Sequence, residues 1–178
     1  MAIPTLNAVG FCANYSKQGD WAFDYALELS RRFSRQLNVF HFLTNPYDPA
    51  DKGATGKSVA DKTRMAIEKE RELRMYYDTR AGEYLEVGFR LCEDNEWTEL
   101  HRCLVIREFQ ILVLGYPEWN ATFAGRPIEE FAHSFVCPVV LVGPERPDQF
   151  HLNPQASLIS VNLGLPEGSF SKIELETA

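Results

Sequence analysis

Long apolar runs are missing from this chain of 178 residues. The longest, such as Ile111 to Leu114 and Val139 to Val142, fall far short of the roughly 20 residues a membrane-spanning helix needs, so no membrane association is expected. Cysteine is sparse, and none of the four residues (Cys12, Cys92, Cys103, Cys137) forms a Cys-x-x-Cys pair. Three of them fall where apolar strand or helix positions are expected, which points to buried thiols. Histidine is equally sparse and dispersed (His41, His101, His133, His151), so clustered metal ligands are lacking and no metal is expected. Excess positive charge is absent too. The net charge is −7, and the basic residues are interleaved with acids, which argues against a nucleic-acid partner. The first residues, Met-Ala-Ile-Pro-Thr-Leu-Asn, lack a basic start followed by an apolar stretch, so a cytoplasmic location is expected.

Hydrophobic residues make up 45% of the chain, enough for one substantial core but short for two. Leu6 to Ala13 reads as a short buried strand followed by the turn-tolerant Asn14-Tyr15-Ser16 and Gly19. From Asp20, Phe23, Ala26, Leu27, Leu29 and Phe33 recur at helical spacing, and Arg31, Arg32 and Arg35 complement the dipole at the end. Gln36 to Leu43 is a second strand, closed by Asn45-Pro46-Tyr47-Asp48-Pro49. Ser58 to Arg80 is a charged, mostly solvated helix. Tyr84 to Leu91 alternates, placing Leu85, Val87, Phe89 and Leu91 on one buried face. Asp94 or Asn95 can cap a helix that brings Trp97, Leu100 and Leu104 to the sheet. Phe109 to Gly115 is a fourth strand, Pro127 can open a short helix, and Cys137 to Gly143 supplies a fifth strand. Strands alternating with helices predict an open parallel sheet with helices on both faces.

Two motif-like stretches carry little. Asp51 to Ser58 resembles a phosphate-gripping P-loop at Gly56-Lys57-Ser58, but Asp51 stands where the first glycine belongs and Leu43 lies too far upstream, so a loop is expected. Cys103 near His101, and Ser134 near His133, are neighbours in sequence only, which cannot align a nucleophile with a base. No catalytic residue is assigned, and a non-enzymatic protein is expected.

The run Asn14-Tyr15-Ser16 through Ala22, Tyr25, Ala26 and Leu29, then Leu37 to Leu43, resembles the opening strand, helix and second strand of the universal stress proteins. Phe109 to Gly115, Phe131, and Cys137 to Val142 resemble that family's last two strands, so the resemblance covers about residues 6 to 143. It implies a Rossmann-like, five-stranded open parallel sheet in the order 3-2-1-4-5. The domain is expected at 1–143; residues 144–178 break the pattern with two short apolar segments, Leu158 to Leu163 and Phe170 to Leu175, and are expected to form an extension, a hairpin or a dimerisation arm.

The ATP-binding branch of that family ends its first strand with Asp and follows its fourth with Gly-x-x-Gly, a nine-residue spacer, and Gly-Ser/Thr. Here Asn14 replaces the Asp, Gly115 and Gly125 match two glycines, Arg126 stands at the hydroxyl position, and the loop is about three residues short. Asn14, Ser16, Phe42, Gly115, Gly125 and Arg126 are the candidate contacts of a degenerate nucleotide site between strands one and four. Pro127 removes a backbone N–H, Trp119 and Phe123 add bulk, and Glu118 would repel phosphate. Trp119 and Phe123 either stack on a ligand or plug the cleft. ATP or AMP is therefore expected to bind weakly or not at all. The implied function is a stress-response or regulatory protein, a homodimer acting through a protein partner. The alternative is a sensor of an adenine nucleotide using altered contacts.

Overall fold

The computed structural model describes residues 6–51, 56–92 and 96–163. Its central sheet begins with β1 (Ala8–Cys12), which leads into α1 (Lys17–Phe33) and β2 (Gln36–Phe42). Then come α2 (Val59–Ala81), β3 (Val87–Cys92), α3 (Glu96–Val105) and β4 (Ile111–Gly115). A two-stranded hairpin follows, β5 (Thr122–Phe123) and β6 (Arg126–Pro127), then α4 (Ile128–Ser134), β7 (Val139–Val142), β8 (Phe150–Leu152) and α5 (Pro154–Leu163). Among the described residues the main sheet has six strands in the order β3-β2-β1-β4-β7-β8. The first five are parallel and lie in the expected order, 3-2-1-4-5.

Both faces of the sheet are covered, which is why its central strands are continuously apolar rather than alternating. Along β1, Val9 and Phe11 turn to one core with Phe23 and Leu27 of α1 and Leu73 and Tyr77 of α2. Ala8 and Cys12 turn to the other, with Leu100 of α3 and Phe131 of α4. The four cysteines are free and buried. Local signals account for the helix starts. Ser16 caps α1 by accepting from the Gly19 N–H at 2.9 Å, and Ser58 caps α2 by accepting from the Asp61 N–H at 3.1 Å. Helix α2 buries only Leu73, Tyr77 and Ala81, the solvated helix its composition predicts. No helix among the described residues is long and apolar enough to cross a membrane.

Three expectations are corrected. Leu85 precedes β3 and is 88% exposed, because the strand starts two residues later and the alternating face begins at Val87. Pro127 is the residue before α4, not a member of its first turn. Residues 158–163 belong to α5 and are not a strand; the strand of the extension is β8, which pairs antiparallel with this chain's own β7 through Val140↔Leu152, Leu141↔His151 and Val142↔Phe150.

Asn153 holds that arrangement. Its side chain is fully buried, donates to the carbonyls of Ala132 and Cys137 and accepts from the N–H groups of Val139 and Ala156, each at 2.9 Å. One residue thereby ties α4, β7 and the start of α5 together, and Pro154 follows it in the first helical position. The proposed caps Asp94 and Asn95, the segment Phe170 to Leu175, and part of the P-loop-like stretch lie outside the described residues.

Candidate functional site

The strand order reverses between β1 and β4, and in open α/β sheets ligands settle beyond the carboxyl ends of the strands at that point. Here the crevice is tightly drawn. A Cβ on Gly115, at the end of β4, would lie 2.9 Å from the Cα of Gly19 in the first turn of α1. Gly115 therefore serves the packing of helix on strand. The Gly115 carbonyl accepts a hydrogen bond from the Tyr47 hydroxyl at 2.9 Å. Burial pushes the Tyr47 pKa well above the ordinary phenol value, while its hydrogen bonds to Asn14 and to Gly115 pull the other way. The Tyr47 ring meets the edge of Phe123 with centroids 5.1 Å apart, and Phe123 is fully buried against Phe131. Phe123 and Tyr47 plug the crevice from inside.

The loop after β4 closes as a tight hairpin. Ala124 and Gly125 both have positive φ, 53° and 78°, between the paired residues Phe123 and Arg126. That is the geometry of a tight two-residue hairpin turn. A Cβ on Gly125 would meet nothing within 4 Å, so its backbone conformation, not close approach, accounts for the glycine. The hairpin tip is tied down by Ala124 N–H donating to the Pro46 carbonyl at 2.9 Å. At the start of α4 the Ile128 N–H is taken by the Ala121 carbonyl at 2.8 Å, and the buried carboxyl group of Glu129 accepts from the Tyr116 hydroxyl. Arg126 is exposed on the hairpin. Trp119 turns away, packing on Tyr116 and His151, each 5.3 Å between centroids.

What stays open is a cleft of about 210 Å³ beside β1 and β2, lined by Asn14, Tyr15, His41, Phe42, Lys69 and Glu72, with Asn45, Pro46 and Asp51 at its rim. A larger but shallow depression of about 440 Å³ lies along α2 around Arg71, Met75 and Tyr76, and shares Glu72 with this cleft. The enclosed cleft is the better candidate. Burial, and secondarily the Lys69 charge, lowers the His41 pKa to about 4, so its imidazole is neutral at pH 7. Burial and then Glu72 raise that of Tyr15 to about 12. Among the described residues no group of His, Cys, Asp and Glu is arranged to hold a metal.

Of the six residues marked from sequence, Asn14 and Phe42 line this cleft, and Gly115 does not, its carbonyl being bonded to Tyr47. Ser16 spends its hydroxyl on the α1 cap, and Gly125 and Arg126 sit on the hairpin. Sequence reasoning missed Tyr47, His41, Lys69 and Glu72. Tyr47 did carry a signal, an aromatic residue between two prolines directly after a strand.

The chain matches no protein-family model and no curated protein sequence. Solved structures do match. A universal stress protein family structure from Burkholderia pseudomallei aligns with a TM-score of 0.52 and 18% identity, covering 78% of this chain and 96% of that one. UspA, a universal stress protein from Lactobacillus plantarum, aligns with a TM-score of 0.52 and 13% identity, covering 77% and 97%. This chain has the universal stress protein fold. At the carboxyl end of β4, Tyr47 is bonded to Gly115 and packs on Phe123, beside the hairpin turn at Ala124-Gly125.

Proposed function

We propose that this chain is a non-enzymatic regulatory protein of the stress-response type, acting in the cytoplasm through protein contacts, with a nucleotide crevice closed at its phosphate end. One observation carries the reading: the Tyr47 hydroxyl bonded to the Gly115 carbonyl, with its ring set against buried Phe123, fills the space at the switch point. Phosphate binding needs free N–H groups at a helix start. Here the Ile128 N–H is already bonded, and the Glu129 carboxyl group occupies the first turn. Self-association as a homodimer, which the family resemblance implies, then uses a face other than the outer edge of β7, since β8 fills that edge.

Thermal-shift titration with ATP, ADP and AMP, each with magnesium, tests this. With a dissociation constant of about 1 mM or weaker, 1 mM ligand stabilises by at most ~0.4 kcal/mol, a rise of roughly 1 °C for a chain of this size. A larger, saturable rise that Arg126→Ala abolishes would overturn the reading in favour of a nucleotide sensor.

A further inference from the structure

Lys69 and Glu72 lie three residues apart on α2, the spacing at which helix side chains are neighbours. Elsewhere on the same helix such neighbours close on each other: Arg64 with Asp61 at 2.9 Å and Arg74 with Glu70 at 3.2 Å. Among the described residues Lys69 and Glu72 enter no ion pair, and both line the cleft beside Asn14. His41 and Tyr15 line the same cleft; after burial, the Lys69 charge helps lower the pKa of the first and the Glu72 charge helps raise that of the second. The cleft thus presents a cation and an anion, over a wall that includes the His41 imidazole, the Asn14 amide and Tyr15, itself 40% exposed.

We propose that this cleft binds a small zwitterion of the free α-amino-acid class, Lys69 meeting its carboxylate and Glu72 its ammonium. This goes beyond the function proposed above but rests on its closed phosphate end. Size favours the choice, since pockets for drug-sized ligands run to about 300–1,000 Å³, and this one holds about 210 Å³. Charge favours it as well. A polyanion would meet Glu72 and Asp51 against a single Lys69, on a chain of net charge −7. A ligand carrying both signs on one α-carbon can meet Lys69 and Glu72 together and gain charge-assisted hydrogen bonds from each.

The experiment uses the full chain with L-glutamine and L-valine as probes, read by isothermal titration and thermal shift. The N-acetyl derivatives lack the positive charge and the amide derivatives lack the negative one. The expected result is saturable binding of at least one free amino acid, with both of its derivatives weakened at least tenfold. Lys69→Met and Glu72→Gln should each weaken it at least tenfold while melting normally without ligand. No binding at 10 mM overturns the proposal and leaves the closed crevice standing. Binding kept in both variants, or shared by the amide derivative, overturns it too. An ATP arm separates the two readings, because ATP binding that survives both variants while the amino acids fail overturns the closed crevice along with the zwitterion site.

Discussion

Replacing Asn153 by alanine should cost about 3–5 kcal/mol and loosen the outer edge of the sheet. The side chain makes four hydrogen bonds, two as donor to the carbonyls of Ala132 and Cys137 and two as acceptor from the N–H groups of Val139 and Ala156. Because Asn153 is fully buried, the variant leaves those groups facing each other without water. A buried group left unsatisfied costs about 1–3 kcal/mol, and loss of the cap on α5 about 1 kcal/mol. The bond from Ala156 is the cap itself, so three orphans at the low end plus the cap give ~4 kcal/mol, a large part of the 5–15 kcal/mol that typically holds a domain together. Asn153→Asp keeps both acceptor bonds and loses both donors, so it should be no milder than alanine despite its shape. Urea denaturation gives the magnitude, and hydrogen exchange at residues 150–157 shows where it falls. With β8 loosened, the four buried residues of β7 face an open edge, and association that rises with protein concentration should follow. A loss under 1 kcal/mol, or unchanged protection in β8, would refute the idea that Asn153 holds the edge cover.

Two further substitutions test the crevice. In Gly19→Ala the helix gains about 1 kcal/mol of propensity, yet its Cβ would lie 1.8 Å from the Asn14 carbonyl oxygen. The clash should win, making Gly19→Ala more destabilising than Gly115→Ala, whose nearest contact is 2.9 Å; the opposite order in urea midpoints would sink this account of the close approach. His41, held at about 4 in the folded chain against an ordinary 6.5, binds a proton in the unfolded chain first. Stability should therefore fall as pH drops from 6.5 towards 4, by about 2–3 kcal/mol once discounted for the ring's access to solvent. His41→Leu should remove that part of the slope, and parallel wild-type and variant curves between pH 4 and 7 would contradict it.

The parallel sheet was legible because apolar runs bounded by turn residues alternate with helical stretches, whereas the order of its strands came from the resemblance to the universal stress proteins. The start of α2 was legible to within a residue, at Ser58, whose hydroxyl caps the helix. What could not be read was long-range. Nothing local in Leu158 to Leu163 says helix rather than strand; the cap at Asn153 decides it, and that cap exists because Asn153 is pinned by α4 and β7. The site was half legible for the same reason. Asn14 and Phe42 follow from position at strand ends, whereas Lys69 and Glu72 reach the cleft only because α2 packs beside β1 and β2, and in sequence they are two charges among many.

Gly125 shows why matching a motif residue does not transfer its role. Counted along the chain it stands where a phosphate loop would place a glycine, and it is indeed a glycine for a conformational reason. That reason is a positive φ of 78° in a hairpin turn, with open space around the missing Cβ, whereas a phosphate cradle needs the glycine where the backbone must approach an oxygen. Once the loop closes as a hairpin, Phe123 is drawn into the core beside Tyr47, and the space left for a ligand shifts toward Asn14, His41 and α2. With the loop closed as a hairpin and the Ile128 N–H already bonded, the wall that stays open is one carrying Lys69 and Glu72, charges of both signs.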